Sequence, residues 1–232
     1  MAKLAWDVAG EHVFESGVDH GVLYRMDAQG AYTIPVVWNG LTSVKETNEG
    51  GDINSLYADN IKYLDLVGTE NFKFTIEAYT YPDEFMECDG TKCITTGTSS
   101  TLTDIGVRLN NQTRQKFGFC YRTKVGNDAS GQDAGYKLHL VYACLASPTD
   151  KEYSSVNDNP DAVTFSWECS TTPIALTGDY ANLKPVSHIV IDSTVADATK
   201  LAALEATLYG TDGTPGTTGQ LPLPNDVITA LS

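Results

Sequence analysis

Alternation of apolar and polar side chains is the pattern that most constrains how this chain can fold. Between positions 71 and 80, every second residue is apolar and the residues between them are mostly polar. A period of two places the apolar side chains on one face of a β-strand and the polar ones on the other. The sequence therefore predicts half-buried antiparallel strands. The same pattern recurs at 115–122, 136–145 and 163–169, and shorter extended segments are predicted at 36–45, 61–67 and 186–191.

Two segments carry helical signals instead. Pro82 and the acidic residues after it predict a helix of one or two turns that ends at Gly90. A longer helix is predicted after Asp197, whose carboxylate can cap the first turn, and it should end before Gly210. Three leucines fall on one face of this second helix: Leu201, Leu204 and Leu208. We therefore expect one amphipathic helix packed on a sheet.

The composition excludes several classes of protein. With 41% hydrophobic and 19% charged residues, the 232-residue chain must bury a core, and its length predicts one main domain. Thirty Asp and Glu against 15 Lys and Arg give a net charge of −15, which argues against a basic nucleic-acid-binding face and against attraction to an anionic membrane. The sequence shows no signal peptide and no membrane-spanning run, so we expect a soluble, unsecreted protein without membrane contact.

Polar and Gly-rich segments predict long loops and a separate tail. Positions 46–55 show no core pattern, so we expect a long loop that reaches to about 58, and a second long loop is expected at 125–135. A Gly/Thr linker follows Gly210. We predict a β-sandwich domain over 1–210 and a docking arm over 211–232, which binds its own subunit or a neighbour. Long loops and a separate arm of this kind are typical of a subunit that contacts neighbouring subunits in an assembly.

Cysteine and histidine spacing gives little support for a metal site. Five cysteines without a secretion signal favour reduced thiols. Cys88 and Cys93 have the spacing of half a zinc site, but the other half is missing. The remaining candidates lie singly on predicted strands or lack paired spacing: Cys120, Cys144, Cys169, His12, His20, His139 and His188. We therefore predict no metal, with buried thiols on strands and two loop thiols.

Other acidic segments are better explained as turns. Residues 128–135 start like a calcium loop but lack its glycine and its final glutamate, so a hairpin turn is favoured and an improvised calcium site stays open. Asp158, Asn159 and Asp161 are typical of turn chemistry. No nucleophile elbow, phosphate loop, dinucleotide fingerprint or zinc-protease motif is present. We expect no enzymatic activity and no cofactor, although a spatial triad would leave no sequence motif.

Eight segments, spread in order over nearly the whole chain, resemble one family. They are GVDHGVLY (17–24), VWNGLT (37–42), LYADNIKYL (56–64), TIEAYTYPDEF (75–85), FGFCYRT (117–123), GYKLHLVY (135–142), FSWE (165–168) and LPLPNDVI (221–228). In these segments the chain resembles the major tail tube proteins of long, non-contractile-tailed bacteriophages. Residues 91–102 resemble an insertion or a variable loop. The matching segments are scaffold patterns, so they indicate a building block and no activity.

The resemblance implies a mainly β fold, a two-sheet antiparallel β-sandwich flanked by one α-helix. It implies hexameric rings that stack into a tail tube, the conduit through which viral DNA is ejected into the host. The implied partners are copies of the chain itself, tape-measure, tail-terminator and tail-tip proteins, and duplex DNA that passes without specific binding. The implied location is the virion tail, and the host cytoplasm during assembly.

In this interpretation the 46–58 loop stacks one ring on the next and the C-terminal arm is a second clasp. The predicted self-assembly residues are Glu46, Asn48, Asp52, Tyr57, Leu221, Leu223, Val227 and Ile228. The alternative function is a β-sandwich module that binds carbohydrate or a cell surface, which predicts exposed aromatic residues among Tyr24, Tyr57 and Tyr153. A hydrolase with an unrecognised acidic site is a third alternative.

Overall fold

A computed structural model describes residues 4–27, 29–97, 102–147, 149–153, 155 and 162–232. The strands of this part of the chain are β1 (Val13–Met26), β2 (Tyr32–Trp38), β3 (Leu41–Gly50), β4 (Ile53–Ala58), β5 (Ile61–Val67), β6 (Glu70–Ala78), β7 (Lys92–Thr96), β8 (Thr103–Leu109), β9 (Phe117–Asn127), β10 (Gly131–Ala146), β11 (Phe165–Ser170), β12 (His188–Asp192), β13 (Gly210–Thr211) and β14 (Thr217–Thr218). The α-helices are α1 (Met86–Asp89), α2 (Ala198–Tyr209) and α3 (Pro224–Leu231).

Two antiparallel sheets share the long strand β10. The first sheet has the order β2-β1-β9-β10, with β12 also paired to β10, and the second has the order β10-β11-β6-β3. Between Val141 and Cys144 the register of β10 against β9 shifts, and Ala143 has a positive φ of 47°. Beyond this bulge, Leu145 and Ala146 pair with β11. A bulge that redirects one strand into a second sheet is a usual corner of a β-sandwich, so the predicted mainly β architecture is confirmed.

Aromatic side chains fill the space between the two sheets. Trp38 of the first sheet lies with its ring 5.6 Å from Trp167 of the second sheet and 4.5 Å from Phe85, which precedes α1. The Trp38 indole N–H donates to the carbonyl of Thr80 at 2.9 Å, so its polar atom is satisfied. Of the predicted inward residues of β6, Phe74, Ile76 and Ala78 are fully buried here, and Phe72 is partly buried.

The other face of the first sheet is covered by helices. Leu201, Leu204 and Leu208 of α2 pack on this face, as predicted, and Asp197 caps the helix by accepting from the N–H groups of Thr199 and Lys200. Residues 117–121 of β9 and 138–142 of β10 are therefore buried on both faces, so the half-buried character expected for 115–122 is wrong at 117–121. A Cβ at Gly118 would lie 2.4 Å from the Leu221 side chain, so this close packing requires glycine.

The C-terminal tail completes this helical layer on its own subunit. Leu221 and Val227 are 3% and 1% exposed, the Leu221 N–H donates to the Tyr32 carbonyl at 3.0 Å, and the Tyr142 hydroxyl donates to the Pro222 carbonyl at 3.0 Å. The preceding linker closes the small β13–β14 hairpin. Of the two predicted docking sites for the tail, the structure shows the one on its own subunit. Because the tail contributes α3, two helices, not one, cover the sheet.

Both predicted long loops are ordered as strand. The 125–135 segment is reduced to a turn at 128–130, because Asn127 Oδ1 accepts from the N–H groups of Ala129 and Ser130 at 3.1 and 2.5 Å. The 46–58 segment contains the end of β3 and all of β4. The turn proposed around Asp158 and Asn159, with Asp161, lies outside the described residues.

Cys88 and Cys93 are not loop thiols, because Cys88 lies in α1 and Cys93 on β7. Both are free, and so are the three strand thiols. Asp128, in the rejected calcium loop, accepts from the N–H groups of Gly10 and His12 and thus holds the N-terminal segment. Among the described residues, no helix has the length and apolar character needed to cross a membrane.

Truncating the tail's buried leucine should destabilise the fold. Leu221→Ala removes side-chain packing against Gly118 and Tyr32, so we expect a loss of about 2–4 kcal/mol in the free energy of unfolding, measured by urea denaturation. Leu223→Ala is the matched control, because Leu223 lies in the same tail but is 45% exposed, and it should cost less than about 1 kcal/mol. Equal effects of the two substitutions would contradict the docked position of the tail.

Candidate self-assembly surface

Residues 53–67 form a β-hairpin, here called the arm, between the two strands β3 and β6 of the second sheet. Its turn residues Asp59 and Asn60 have φ values of 53° and 65°, as a type I′ turn requires. At its base the Gly51 N–H donates to the Thr69 carbonyl at 3.2 Å and the Gly68 N–H to the Asp52 carbonyl at 2.9 Å. The arm therefore continues the β3–β6 hairpin beyond the body of the sheet.

Gly50 sets the bend at which the arm departs. Its φ is +84°, and a Cβ there would lie 2.3 Å from the Thr69 carbonyl oxygen, so a larger residue is excluded by both backbone conformation and space. Glycines at such a position let the chain leave a regular ladder sharply. The connection between β3 and the arm therefore requires glycine at position 50.

Large apolar side chains on the arm are exposed. Eight of them are between 37% and 72% exposed: Ile53, Leu56, Tyr57, Ile61, Tyr63, Leu64, Leu66 and Val67. A two-stranded hairpin alone is marginally stable in water, and soluble monomers rarely expose contiguous apolar patches of this kind. The arm therefore has the properties of an interaction surface.

The predicted assembly residues do not form one surface. Tyr57 lies on the arm and is 72% exposed, and Asp52 lies in the connection at its base. Glu46 and Asn48 lie on β3, where they pair with Phe74 and Phe72 of β6. The four tail residues lie in the helical layer of the other sheet, where Leu221 and Val227 are buried and Leu223 and Ile228 reach the surface to different degrees.

Sequence reasoning missed most of the arm. Positions 61–67 were correctly predicted to be extended, but 46–58 was predicted to be a loop, so the pairing of β4 with β5 was not foreseen. The signal that could have found the hairpin is Asp59-Asn60 between two apolar runs, since Asp and Asn tolerate the positive φ of a hairpin turn. A second exposed hairpin, β7–β8, occupies part of the segment that resembled an insertion, and it exposes Ile105 and Val107.

The second sheet has one face that nothing covers among the described residues, here called the open face. Alternation along β3, β6 and β11 places polar side chains on it: Ser43, Lys45, Glu49, Lys73, Thr75, Glu77, Ser166 and Glu168. Lys73 Nζ lies 2.6 Å from Glu49 and 3.5 Å from Glu168, and Ser43 donates to Glu77 at 2.7 Å. The face is polar, with acidic residues in slight excess.

Unpaired strand edges border both sheets. In the described part of the chain, β3 pairs only with β6 along its length, and β12 pairs only with β10. Edge strands present free N–H and carbonyl groups that a strand of another chain can pair with. The open face is therefore flanked by β3, an edge able to continue the sheet into a neighbour.

Glu46 faces inward and joins the two sheets, a role the sequence did not reveal. The Tyr121 hydroxyl donates to Glu46 Oε1 at 2.6 Å, and His139 Nδ1 lies 3.2 Å from the same oxygen. The hydrogen bond with His139 holds the pKa of Glu46 down at about 2, with Tyr121 and nearby His188 adding to the effect against partial burial. Burial lowers the pKa of His188 to about 4. At neutral pH Glu46 is therefore charged and His188 is neutral.

Comparison with solved structures gives distant likenesses to this chain. No protein-family model and no curated protein matches this chain. A solved structure of the sheath-tube complex of an extracellular contractile injection system, PVC, in the extended state shares 11% identity over 75% of this chain and 88% of that chain, with a TM-score of 0.32. The sheath/tube terminator of that system shares 11% identity over 73% of this chain and 96% of that chain, with a TM-score of 0.25. At these TM-scores neither likeness carries an argument about this chain.

Removing the charge of Glu46 should weaken the contact between the sheets. Glu46→Gln removes the negative charge that contacts His139 and Tyr121. We therefore expect a loss of about 1 kcal/mol in the free energy of unfolding, measured in metal-free buffer. Glu49→Gln is the matched control on the same strand, because its ion pair with Lys73 is on the exposed face and should contribute much less. Urea denaturation at pH 7 measures both, and equal losses would show that Glu46 has no special role.

Proposed function

We propose that this chain is the structural subunit of a phage-type tail tube, which assembles from copies of the chain as stacked rings. The observation that carries the proposal is the arm, with its eight exposed apolar side chains on a hairpin that extends from the second sheet. Burial of those side chains on a neighbouring copy would supply the hydrophobic stabilisation that the isolated subunit lacks.

The position of the arm in the sequence supports the same proposal. The arm includes the LYADNIKYL segment at 56–64, one of the segments that resemble tail tube proteins. It replaces the predicted 46–58 loop as the element that would contact the adjacent ring, and Tyr57 is the one predicted assembly residue that it contains. The tail, docked on its own subunit, is no longer needed as a second clasp.

The open face supports a specific arrangement of the ring. Helices α2 and α3 cover the outer face of the first sheet, so the second sheet is the one left to line a channel. It comprises β3, β6, β11 and the end of β10, and six copies would contribute 24 strands. With strands ~4.8 Å apart and tilted by ~40°, 24 strands close a barrel of roughly 48 Å diameter, which leaves a lumen of roughly 38 Å. Duplex DNA fits such a lumen.

The charge of the chain agrees with DNA as a passenger rather than a ligand. The net charge is −15, and the open face carries Glu49, Glu77 and Glu168 against two lysines. A wall of this composition does not attract phosphate, so DNA would pass without specific binding. In this proposal the chain is a component of the virion tail, assembled in the host cytoplasm, with tape-measure, tail-terminator and tail-tip proteins as partners, and it has no enzymatic role.

The carbohydrate-binding alternative gains no support from the geometry. It requires an exposed aromatic cluster, but Tyr24 is fully buried and its hydroxyl donates to the Leu208 carbonyl at 2.8 Å. Tyr57 and Tyr153 are exposed, at 72% and 73%, yet Tyr57 belongs to the arm. No observation therefore favours this second candidate over assembly.

Negative-stain microscopy of the concentrated protein tests the proposal directly. We expect hollow tubes or six-fold rings with a channel of roughly 38 Å. A single monomeric peak on a sizing column is compatible with the proposal, because such subunits can stay unassembled until an assembly nucleus is present. Persistent absence of rings and tubes, even with tail-initiation proteins present, would contradict it.

Polar substitutions on the arm should abolish assembly and spare the fold. We expect the triple variant Tyr57→Ser, Tyr63→Ser, Leu66→Ser to keep the circular-dichroism spectrum and urea midpoint of the unmodified protein but to form no tubes, because these side chains are exposed in the monomer. The double variant Ile105→Ser, Val107→Ser on the β7–β8 hairpin is the control and should assemble normally. Normal tubes from the arm variant would overturn the assigned role of the arm.

A further inference from the structure

We propose that Glu46, His139 and His188 form a binding site for a divalent transition-metal ion of the zinc class, positioned where the two sheets meet. One donor atom from each residue lies within 4.8 Å of the other two. The three residues come from β3, β10 and β12, so an ion bound there would connect the second sheet to the first. The proposal does not depend on tube assembly.

The separations of the donor atoms fit a small ion. His139 Nδ1 lies 3.1 Å from His188 Nε2 and 3.2 Å from Glu46 Oε1. Zinc binds nitrogen and oxygen at about 2.0–2.1 Å in tetrahedral geometry, which places neighbouring ligand atoms about 3.4 Å apart. Two of the three pairs therefore need adjustments of a few tenths of an ångström. The third pair must close further to admit the ion, since His188 Nδ1 lies 3.9 Å from Glu46 Oε2 and the three donor atoms are within 4.8 Å of one another. Two imidazoles with one carboxylate are a usual ligand set for zinc and its neighbours in the first transition row.

Neighbouring side chains hold the ligands in orientation. Thr123 Oγ1 lies 3.1 Å from His139 Nε2, which leaves the Nδ1 atom of that ring directed at Glu46 and His188. The Tyr121 hydroxyl donates to Glu46 Oε1 at 2.6 Å. Hydrogen bonds of this kind fix ring orientation and ligand basicity around metal ions.

Ring stacking restricts both imidazoles further. The Tyr121 ring stacks on His139 with centroids 4.4 Å apart, and the Phe72 ring stacks on His188 at the same distance. Side chains held in this way lose little conformational entropy when they bind an ion, which favours affinity. The site is therefore organised before any ion enters.

The three ligands differ in their access to solvent. The His139 and His188 side chains are 6% and 12% exposed, whereas that of Glu46 is 42% exposed. Glu46 therefore marks the entry, and its second oxygen or a water molecule can complete the coordination. A buried pair of imidazoles with an accessible carboxylate differs from the exposed acidic groups that are common on any protein surface.

Isothermal titration of zinc chloride into the dialysed, metal-free monomer tests the site. We expect one ion per chain for the unmodified protein and at least a tenfold weaker affinity for His188→Gln. The matched control is His12→Gln, since His12 lies 3.4 Å from Asp7 and 3.3 Å from Asp128 on the surface. This control should bind zinc as the unmodified protein does. Zinc should also raise the unfolding temperature of the unmodified protein but not that of His188→Gln.

Glu46→Gln separates loss of a ligand from loss of fold, because Glu46 is the most exposed of the three residues. It should stay folded by circular dichroism and bind zinc at least tenfold more weakly. Cobalt absorption spectra identify the donors, and we expect no sulfur-to-cobalt charge-transfer band. Absence of binding, equal weakening by His12→Gln, unchanged affinity of the folded Glu46→Gln variant, or a sulfur signature from a cysteine would each overturn the proposal.

Discussion

Burial of residues 117–121 of β9 and 138–142 of β10 on both faces is the constraint on which the rest of the structure depends. Phe119 and Tyr121 of β9 point into the space between the sheets, while Cys120 points under the helices. A sheet that is apolar on both faces must be covered on both faces, since each exposed side chain of this size forfeits its hydrophobic stabilisation. The second sheet covers one face, and α2 with the C-terminal tail covers the other.

With the tail docked in that layer, the arm carries eight exposed large apolar side chains, more than any other element in the described part of the chain. The body of the subunit buries two hydrophobic cores, one containing Trp38 and Trp167 and the other containing the leucines of α2. The described residues leave the arm exposed, and Gly50, with its positive φ, lies just before its base. Apolar surface that a subunit does not bury is available to another copy, so the features that make the monomer stable and those that favour assembly are spatially separate.

The polar contacts between the sheets show how a charge can be kept in such a structure. Glu46 lies on the inner face of β3, where an uncompensated carboxylate would be costly. Tyr121 and His139 compensate it, and partial exposure reduces the cost further. The same inward alternation that buries Phe74 places Glu46 beside two histidines from other strands, and thus produces a trio with metal-ligand geometry.

Local patterns in the sequence were enough to predict many elements. Alternation located the cores of β6, β9, β10 and β11, Asp197 and Gly210 marked the ends of α2, and Gly90 ended α1, because each signal acts within a few residues. The extent of β3 was not predictable in this way. Its polar end, 46–50, is held as a strand by pairing with β6 rather than by its own pattern.

The sequence by itself determined a mainly β chain with a helix over a sheet and an excess of acidic over basic residues. Only the tertiary structure decided that the tail docks on its own subunit, that the arm projects, and that Glu46, His139 and His188 meet. The physical reason is the range of the interactions involved. Alternation and capping act between near neighbours along the chain, whereas docking and ligand clusters depend on strand pairing and register between distant segments.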